Sequence, residues 1–206
     1  LMRKHRVHEG LSPNQLRNFL IDLGPSFIKI GQMLSLRSEI LPQAYCDALS
    51  DLQMDCDPMP FEDTLAALED VYGSRFHEIF RKIGPTPLGS ASLAQVHKAE
   101  LSNGDVVAVK VQRPGVRAVM AQDIDVMRSV AKHISRFMKD TQMLDLRDVV
   151  EELWATFLEE TDFIKEANNL QEFAELNKDV AFISCPKPYM EYCTESVLVM
   201  EYVEGI

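Results

Sequence analysis

No apolar run in this chain of 206 residues approaches the ~20 that a membrane-spanning helix needs. The start also lacks the charged-then-apolar pattern of a secretory segment. Positive charge is in deficit, with 21 Lys and Arg against 32 Asp and Glu and a net charge of −11. A nucleic-acid binder needs a basic face, so nucleic acid is not an expected partner, and this charge gives no electrostatic help at an anionic membrane. Cysteine is scarce: Cys46, Cys56, Cys185 and Cys193 show no metal-type spacing and read as reduced thiols of a cytoplasmic protein. The five histidines are scattered, with no pair at helical ligand spacing, so no metal site is expected. Internal repeats and low-complexity tracts are lacking too.

What is present is the composition of a globular protein, 46% hydrophobic and 26% charged, long enough for one ordinary domain or two small ones. Ser12-Pro13 opens a first helix, as cap and first helical residue, and Leu16, Phe19, Leu20 and Leu23 form its stripe before Gly24-Pro25 stops it. A second helix carries Phe27, Ile28, Met33, Leu34 and Ile40. A third begins at Pro42 with Tyr45, Leu49 and Leu52 on one face. Residues 57–60 read as a linker. A short helix follows with Phe61, Leu65, Leu68 and Tyr72 inward, ending at Gly73.

The stretch Pro87 to Gln112 reads as strand, tight loop, strand, turn, strand. Leu93–Leu101 and Val106–Gln112 are rich in β-formers, and Asn103-Gly104 between them is a strong hairpin signal. The loop Gly89-Ser90-Ala91-Ser92-Leu93-Ala94-Gln95-Val96 is built of small residues, as a loop must be where its backbone passes close to a ligand, most often a phosphate. With period-2 alternation Lys110 shares a face with Val106, Ala108 and Gln112. A lysine there either reaches solvent or is held by a carboxylate.

Downstream, Arg113-Pro114-Gly115 breaks the strand and a long helix starts near Val116. Its residues Met120, Ile124, Met127, Ala131, Ile134 and Met138 recur in steps of four and three, a seam for another helix. Further helix is expected from Leu146 to Asn177, with one stripe of Leu146, Val149, Val150, Leu153, Trp154 and Phe157. A second stripe holds Phe163, Ala167, Leu170 and Ala174 beyond a break near Thr161. Two strands, Lys187–Cys193 and Val197–Val203, complete an α+β unit of about five strands.

Protein kinases carry Gly-x-Gly-x-x-Gly-x-Val followed by Val-Ala-Ile-Lys. Here the pattern is Gly89-x-Ala91-x-x-Ala94-x-Val96, then Val107-Ala108-Val109-Lys110, with alanine at two of the three glycine positions. Together with Lys29-Ile30-Gly31-Gln32 and Glu160-Thr161-Asp162, this closely resembles the atypical kinase family associated with ubiquinone biosynthesis, called UbiB, ABC1 or AarF. Its hallmarks are Lys-x-Gly-Gln, an alanine-rich loop and Glu-x-Asp, and the resemblance runs from about Leu23 onward.

The resemblance implies a kinase-like N-lobe, an antiparallel sheet of about five strands, at 74–206. A helical insertion sits at about 114–158, and residues 1–73 form a helical extension carrying Lys-x-Gly-Gln. By the same resemblance Lys110 would hold the phosphates of ATP and Glu166 would pair with it as the catalytic couple. The local residues alone favour a solvated helix carboxylate for Glu166, since Glu159, Glu160, Glu172 and Glu175 surround it. The nucleotide would also be bounded by Gly89, Ser90, Ala91, Ser92 and Ala94, under an apolar ceiling of Val96 and Ala108. Met200 would guard the back of the pocket, with the Glu201 carbonyl and Val203 amide on the base edge. Lys29 and Gln32, three apart on one helix face, would cover the peptide-substrate side, Lys29 facing Glu160 and Asp162. Gly31 between them costs the helix about 1 kcal/mol relative to Ala, which points to close packing.

The chain starts at Leu1 and stops at Gly205-Ile206 just past an apolar strand, and is expected to be the N-lobe piece of a longer bacterial-type protein. The catalytic C-lobe, with most ligands of a Mg2+ ion, would lie elsewhere, and the piece alone would be inactive. The whole protein would be an ATP-dependent kinase or ATPase supporting ubiquinone or isoprenoid-quinone biosynthesis. Its expected partners are ATP, quinone precursors or lipids, and quinone-biosynthesis proteins. It would be cytoplasmic and membrane-associated, with membrane contact only through its other parts. A non-catalytic, pseudokinase-like lipid-binding or scaffold module is the alternative. A purely structural helical adaptor would bind no nucleotide at all. By either alanine, Ala91 or Ala94, the loop would narrow the ways phosphates can sit.

Overall fold

The computed structural model describes residues 11–38, 41–52, 57–135, 146–180 and 182–204. In chain order come helices α1 (Pro13–Leu23), α2 (Pro25–Ser35), α3 (Gln43–Ser50), α4 (Phe61–Tyr72) and the single turn α5 (Phe76–Ile79). Strands β1 (Phe80–Ser90), β2 (Ala94–Leu101) and β3 (Val106–Gln112) follow. Helices α6 (Val116–Ser135), α7 (Leu146–Glu160) and α8 (Phe163–Leu176) precede strand β4 (Val197–Glu201). Contacts divide the chain into a helical unit, residues 1–54 with 117–156, and a sheet unit, residues 55–116 with 157–206.

In the helical unit the Ser12 amide donates to Gln15 Oε1 at 2.9 Å, closing the first turn of α1, and Gly24 at φ 109° ends that helix. Leu20, Leu49 and Leu52 are buried together, with Leu16, Phe27, Ile28 and Leu34 packed around them. Gly31 of α2 faces this cluster. A Cβ there would stand 2.4 Å from Leu52 Cδ1 and 2.9 Å from Leu20 Cδ1, so the glycine is what lets α2 approach. Ile40, expected on the second helix, lies outside the described residues. On α6 the seam residues Met120, Ile124 and Ala131 are buried while Met127 is half-buried. Met138 and the side chain of Ile134 lie outside the described residues, as do the side chain of Leu146 and all of Cys56. Arg128 forks onto Glu151 of α7 through two 2.7 Å bonds, and Arg37 pairs with Glu152.

The sheet unit is built on one antiparallel sheet in the order β1-β2-β3-β4. Period-2 alternation sorts β3: Val107, Val109 and Val111 enter a core with Leu68 of α4, Phe76, Ile79, Leu101, Val197 and Val199. Ala108, Lys110 and Gln112 take the opposite face. The helix expected to close the N-terminal extension is therefore part of the sheet's own core, since Leu68 is fully buried there. The division falls near residue 54 instead of residue 73.

Four strands stand among the described residues where about five were expected. Lys187–Cys193 supplies only a bridge, Pro188 to Met200, and then a 3-10 turn at Met190–Tyr192. Pro186 and Pro188 have no N–H to give a ladder, so the segment follows β4 through the Lys187 carbonyl and Tyr189 amide and then turns away. β1 was legible only at its end. Its start at Phe80, directly after α5, carries no alternation, and its pairing with β2 is irregular at three places.

Candidate functional site

The cross-strand register assembles the site. Gly89 pairs with Val96, Val96 with Lys110 and Lys110 with Leu198, so these four form one row across one face. The adjoining row is Lys98, Ala108 and Met200. Lys110 therefore rises from a strip of apolar side chains. Its Nζ donates to both carboxylate oxygens of Glu166, at 2.9 and 2.7 Å, and lies 4.6 Å from the centre of the Phe163 ring. The two side chains keep 25% and 38% of their surface exposed, so the pair is held yet still reachable.

Glu166 is in place because of how α8 begins. Asp162 caps the helix, its Oδ1 accepting from the Lys165 amide at 3.1 Å. The Phe163 amide donates to the Glu195 carbonyl, and Phe163 and Ala167 are buried with Ala94 and Leu198. Gln112 Nε2 donates to the Thr161 carbonyl at 3.0 Å. Asp162, expected to face a covering helix, thus has a local task at the helix start. Glu160 ends α7 and is exposed. Lys29 and Gln32 belong to the helical unit, where Gln32 Nε2 donates to the Leu52 carbonyl at 3.1 Å.

The small-residue loop is held by a side chain that the sequence reading took only as a strand breaker. Arg113 donates from Nε to the Ala91 carbonyl and from Nη2 to Ser90 Oγ and the Asp57 carbonyl, each at 2.8 Å. Its amide donates to the Leu93 carbonyl. Ser90 pairs with Gln95 in the register, which turns its hydroxyl to the core side, away from Lys110. Ser92 is buried. Neither serine side chain joins the row that holds Lys110. Gly89 does, and a Cβ built on it meets nothing within 4 Å, so open space lies in front of it. Ala91 is half-buried, and Ala94, opposite Gln112 in the register, is buried in the cluster with Phe163 and Ala167.

At the other end of the face Met200 is half-buried against the cluster that holds Phe163, Ala167, Cys193 and Leu198. The Glu201 amide donates to the Lys187 carbonyl and its carboxylate accepts from the Lys187 amide. Val203 stands exposed just past β4. On the core side a second polar set braces β2. His97 Nδ1 donates to the Gly84 carbonyl at 2.7 Å, Gln95 Nε2 donates to His97 Nε2, and Gln95 Oε1 accepts from the Met59 amide. Sequence reasoning missed this network; only two polar residues at i and i+2 in an apolar strand hinted at it. Among the described residues no group of three or more His, Cys, Asp or Glu could hold a metal ion. No described helix is long and apolar enough to cross a membrane.

The model of the ABC1 atypical kinase-like domain matches residues 51–206. The chain is 39% identical over 195 residues to an uncharacterised protein in the hydrogenase 1 5' region of Clostridium pasteurianum. It is 44% identical over 196 residues to an uncharacterised chloroplastic aarF domain-containing protein kinase of Arabidopsis thaliana. A probable protein kinase UbiB of Pseudomonas fluorescens is 36% identical over 192 residues. These alignments cover 93–95% of this chain but 28–37% of the relatives. Among solved structures, a Mycobacterium tuberculosis protein in complex with erythromycin is similar, with a TM-score of 0.55 and 30% identity. That likeness covers 86% of this chain and 44% of the other.

Proposed function

The chain belongs to the ABC1 atypical kinase-like family, and from that premise we propose that the Lys110 face of its sheet binds the phosphates of ATP. The observation that carries this reading is a lysine held on one side of its charge and open on the other. Glu166 grips Nζ through two bonds while the Gly89 end of the same cross-strand row opens on free space. An ammonium fixed by a bidentate carboxylate cannot swing away, so its remaining donor capacity points at whatever anion reaches the row. Gly89 leaves room for phosphate oxygens beside the backbone. Val96, Ala108 and Met200 offer the apolar strip on which a base would lie, and the backbone of Glu201 and Val203 would meet its edge.

ATP, when bound, would supply the transferable phosphoryl group. This chain's residues would orient it and neutralise its charge. The described residues contain no group of three or more His, Cys, Asp or Glu able to hold a metal ion, so Mg2+ would be held with ATP mostly by segments other than these. The complete gene product would be an atypical kinase or ATPase. Relatives named UbiB support a role in quinone or isoprenoid-lipid metabolism, with quinone precursors, lipids and quinone-biosynthesis proteins as partners. Membrane association would come through segments other than these. The test is ATP hydrolysis by the complete gene product with added magnesium. Turnover lost in Lys110→Ala supports the reading, and equal turnover in both proteins overturns it.

A further inference from the structure

We propose that Gln112 is a positioning residue for the Lys110–Glu166 pair, a latch that keeps α8 docked on the lysine strand whether or not nucleotide is bound. The inference rests on the phosphate-binding reading of Lys110, but its first test needs no nucleotide.

Lys110 and Gln112 are two residues apart on β3 and share a face, about 6.6 Å apart along the strand. Their partners are Glu166, in the first turn of α8, and the carbonyl of Thr161, the residue just before the Asp162 cap. The strand therefore holds the start of α8 at two points, by an ion pair at Glu166 and by an amide hydrogen bond of 3.0 Å at Thr161, the residue that leads into the helix. One point of attachment would let the helix pivot; two fix its direction.

The rest of α8 does little to oppose such a pivot. Its buried residues are Phe163 and Ala167, both near its N-terminal end, while the described side chains from Gln171 to Leu176 are all exposed. Beyond half-buried Leu170, whose carbonyl accepts from Cys185 Sγ, few apolar contacts oppose motion of its outer half, so the bonds at its start carry much of its direction. Thr161 is itself fully buried, with its hydroxyl donating to the Phe157 carbonyl. Without Gln112 its carbonyl would lose this donor where water does not readily reach, which favours local opening at this junction. The next residue, Arg113, ties the loop to the same strand end, so one dipeptide holds both borders of the lysine site.

The experiment uses the complete gene product and two variants that remove the amide donor while keeping side-chain length, Gln112→Met and Gln112→Glu. Hydrogen exchange of the amides from Ile164 to Asn168 is measured without nucleotide, and affinities are measured for ATP and adenosine. The latch predicts about tenfold faster exchange in both variants. ATP binding should weaken about five- to tenfold, while adenosine affinity holds within twofold, because only a phosphate ligand needs Lys110 placed. In a Glu166→Gln background the Gln112 variants should have no further effect on ATP. A merely structural role would weaken both ligands together and add to Glu166→Gln. Either that result or unchanged exchange in both variants overturns the latch. Wild-type protein that binds no ATP would instead sink the phosphate reading, with the exchange measurement still deciding whether Gln112 docks α8.

Discussion

Gly31→Ala sets two effects of known sign against each other. In an exposed helix interior the exchange stabilises by about 1 kcal/mol, because alanine loses less backbone freedom on folding. In α2 the new methyl would stand 2.4 Å from Leu52 Cδ1 and 2.9 Å from Leu20 Cδ1. Both leucines are buried, at 4% and 7% exposure, and Leu49 between them is at 0%, so their ends have little room to retreat. Overpacking of this kind costs about 1–3 kcal/mol. The difference leaves a net destabilisation of about 1 kcal/mol, or about fivefold in a local opening constant. Hydrogen exchange of the α2 amides in the complete gene product reads that constant. Exchange should quicken about fivefold in Gly31→Ala and return toward wild type when Leu52→Val is added to make room. Slower exchange in the single variant would mean that the leucine ends yield easily. The glycine would then need a reason other than the approach of α2 to its neighbours.

Arg113→Ala removes three side-chain hydrogen bonds to Ala91, Ser90 and Asp57. Since bonds from a charged donor are worth about 1.5–3 kcal/mol each when buried and less where part-exposed, the loop should open and limited proteolysis should cut between Ser90 and Leu93. Glu151 is held below the usual carboxylate range by its bonds to Arg128. The stabilisation from that pair is present above the unfolded carboxylate pKa and is lost as pH falls through the lowered folded value. The stability gap between wild type and Arg128→Gln should therefore close in acid and shrink with added salt, and a gap that persists unchanged would refute the assignment. Burial pushes the Cys193 thiol up, and its sulfur donates to the Tyr189 and Val199 carbonyls. Alkylation at neutral pH should mark Cys185 well before Cys193, as mass spectrometry of the labelled peptides would show.

The hairpin and the lysine's face were legible in the sequence, because strand periodicity and Asn103-Gly104 act locally. That Glu166 was the partner was not legible from local residues. Five glutamates lie between Glu159 and Glu175, and only the motif distinguished one of them. The break between α7 and α8 was visible near Thr161, yet its use was hidden. A buried threonine carbonyl leaves no mark on side-chain patterns, so Gln112 could be placed on the right face without its acceptor being known. Arg113 was hidden differently, since its neighbours Pro114 and Gly115 give a strong stop signal that masks any further task. The strand expected at Lys187–Cys193 has the right apolar content, but Pro188 within it and Pro186 just before it should have weighed more than that content.

The most direct measurement of the central claim is calorimetric titration of ATP and of adenosine into the complete gene product, wild type and Lys110→Met. Methionine keeps most of the stem's length and removes the charge. A charge-assisted contact worth about 1.5–3 kcal/mol corresponds to roughly a ten- to hundredfold change in affinity. The account predicts that ATP binding weakens by that factor in Lys110→Met while adenosine binding is unchanged. Equal ATP affinity in the two proteins, with the Lys110–Glu166 bonds intact in the wild type, would contradict it.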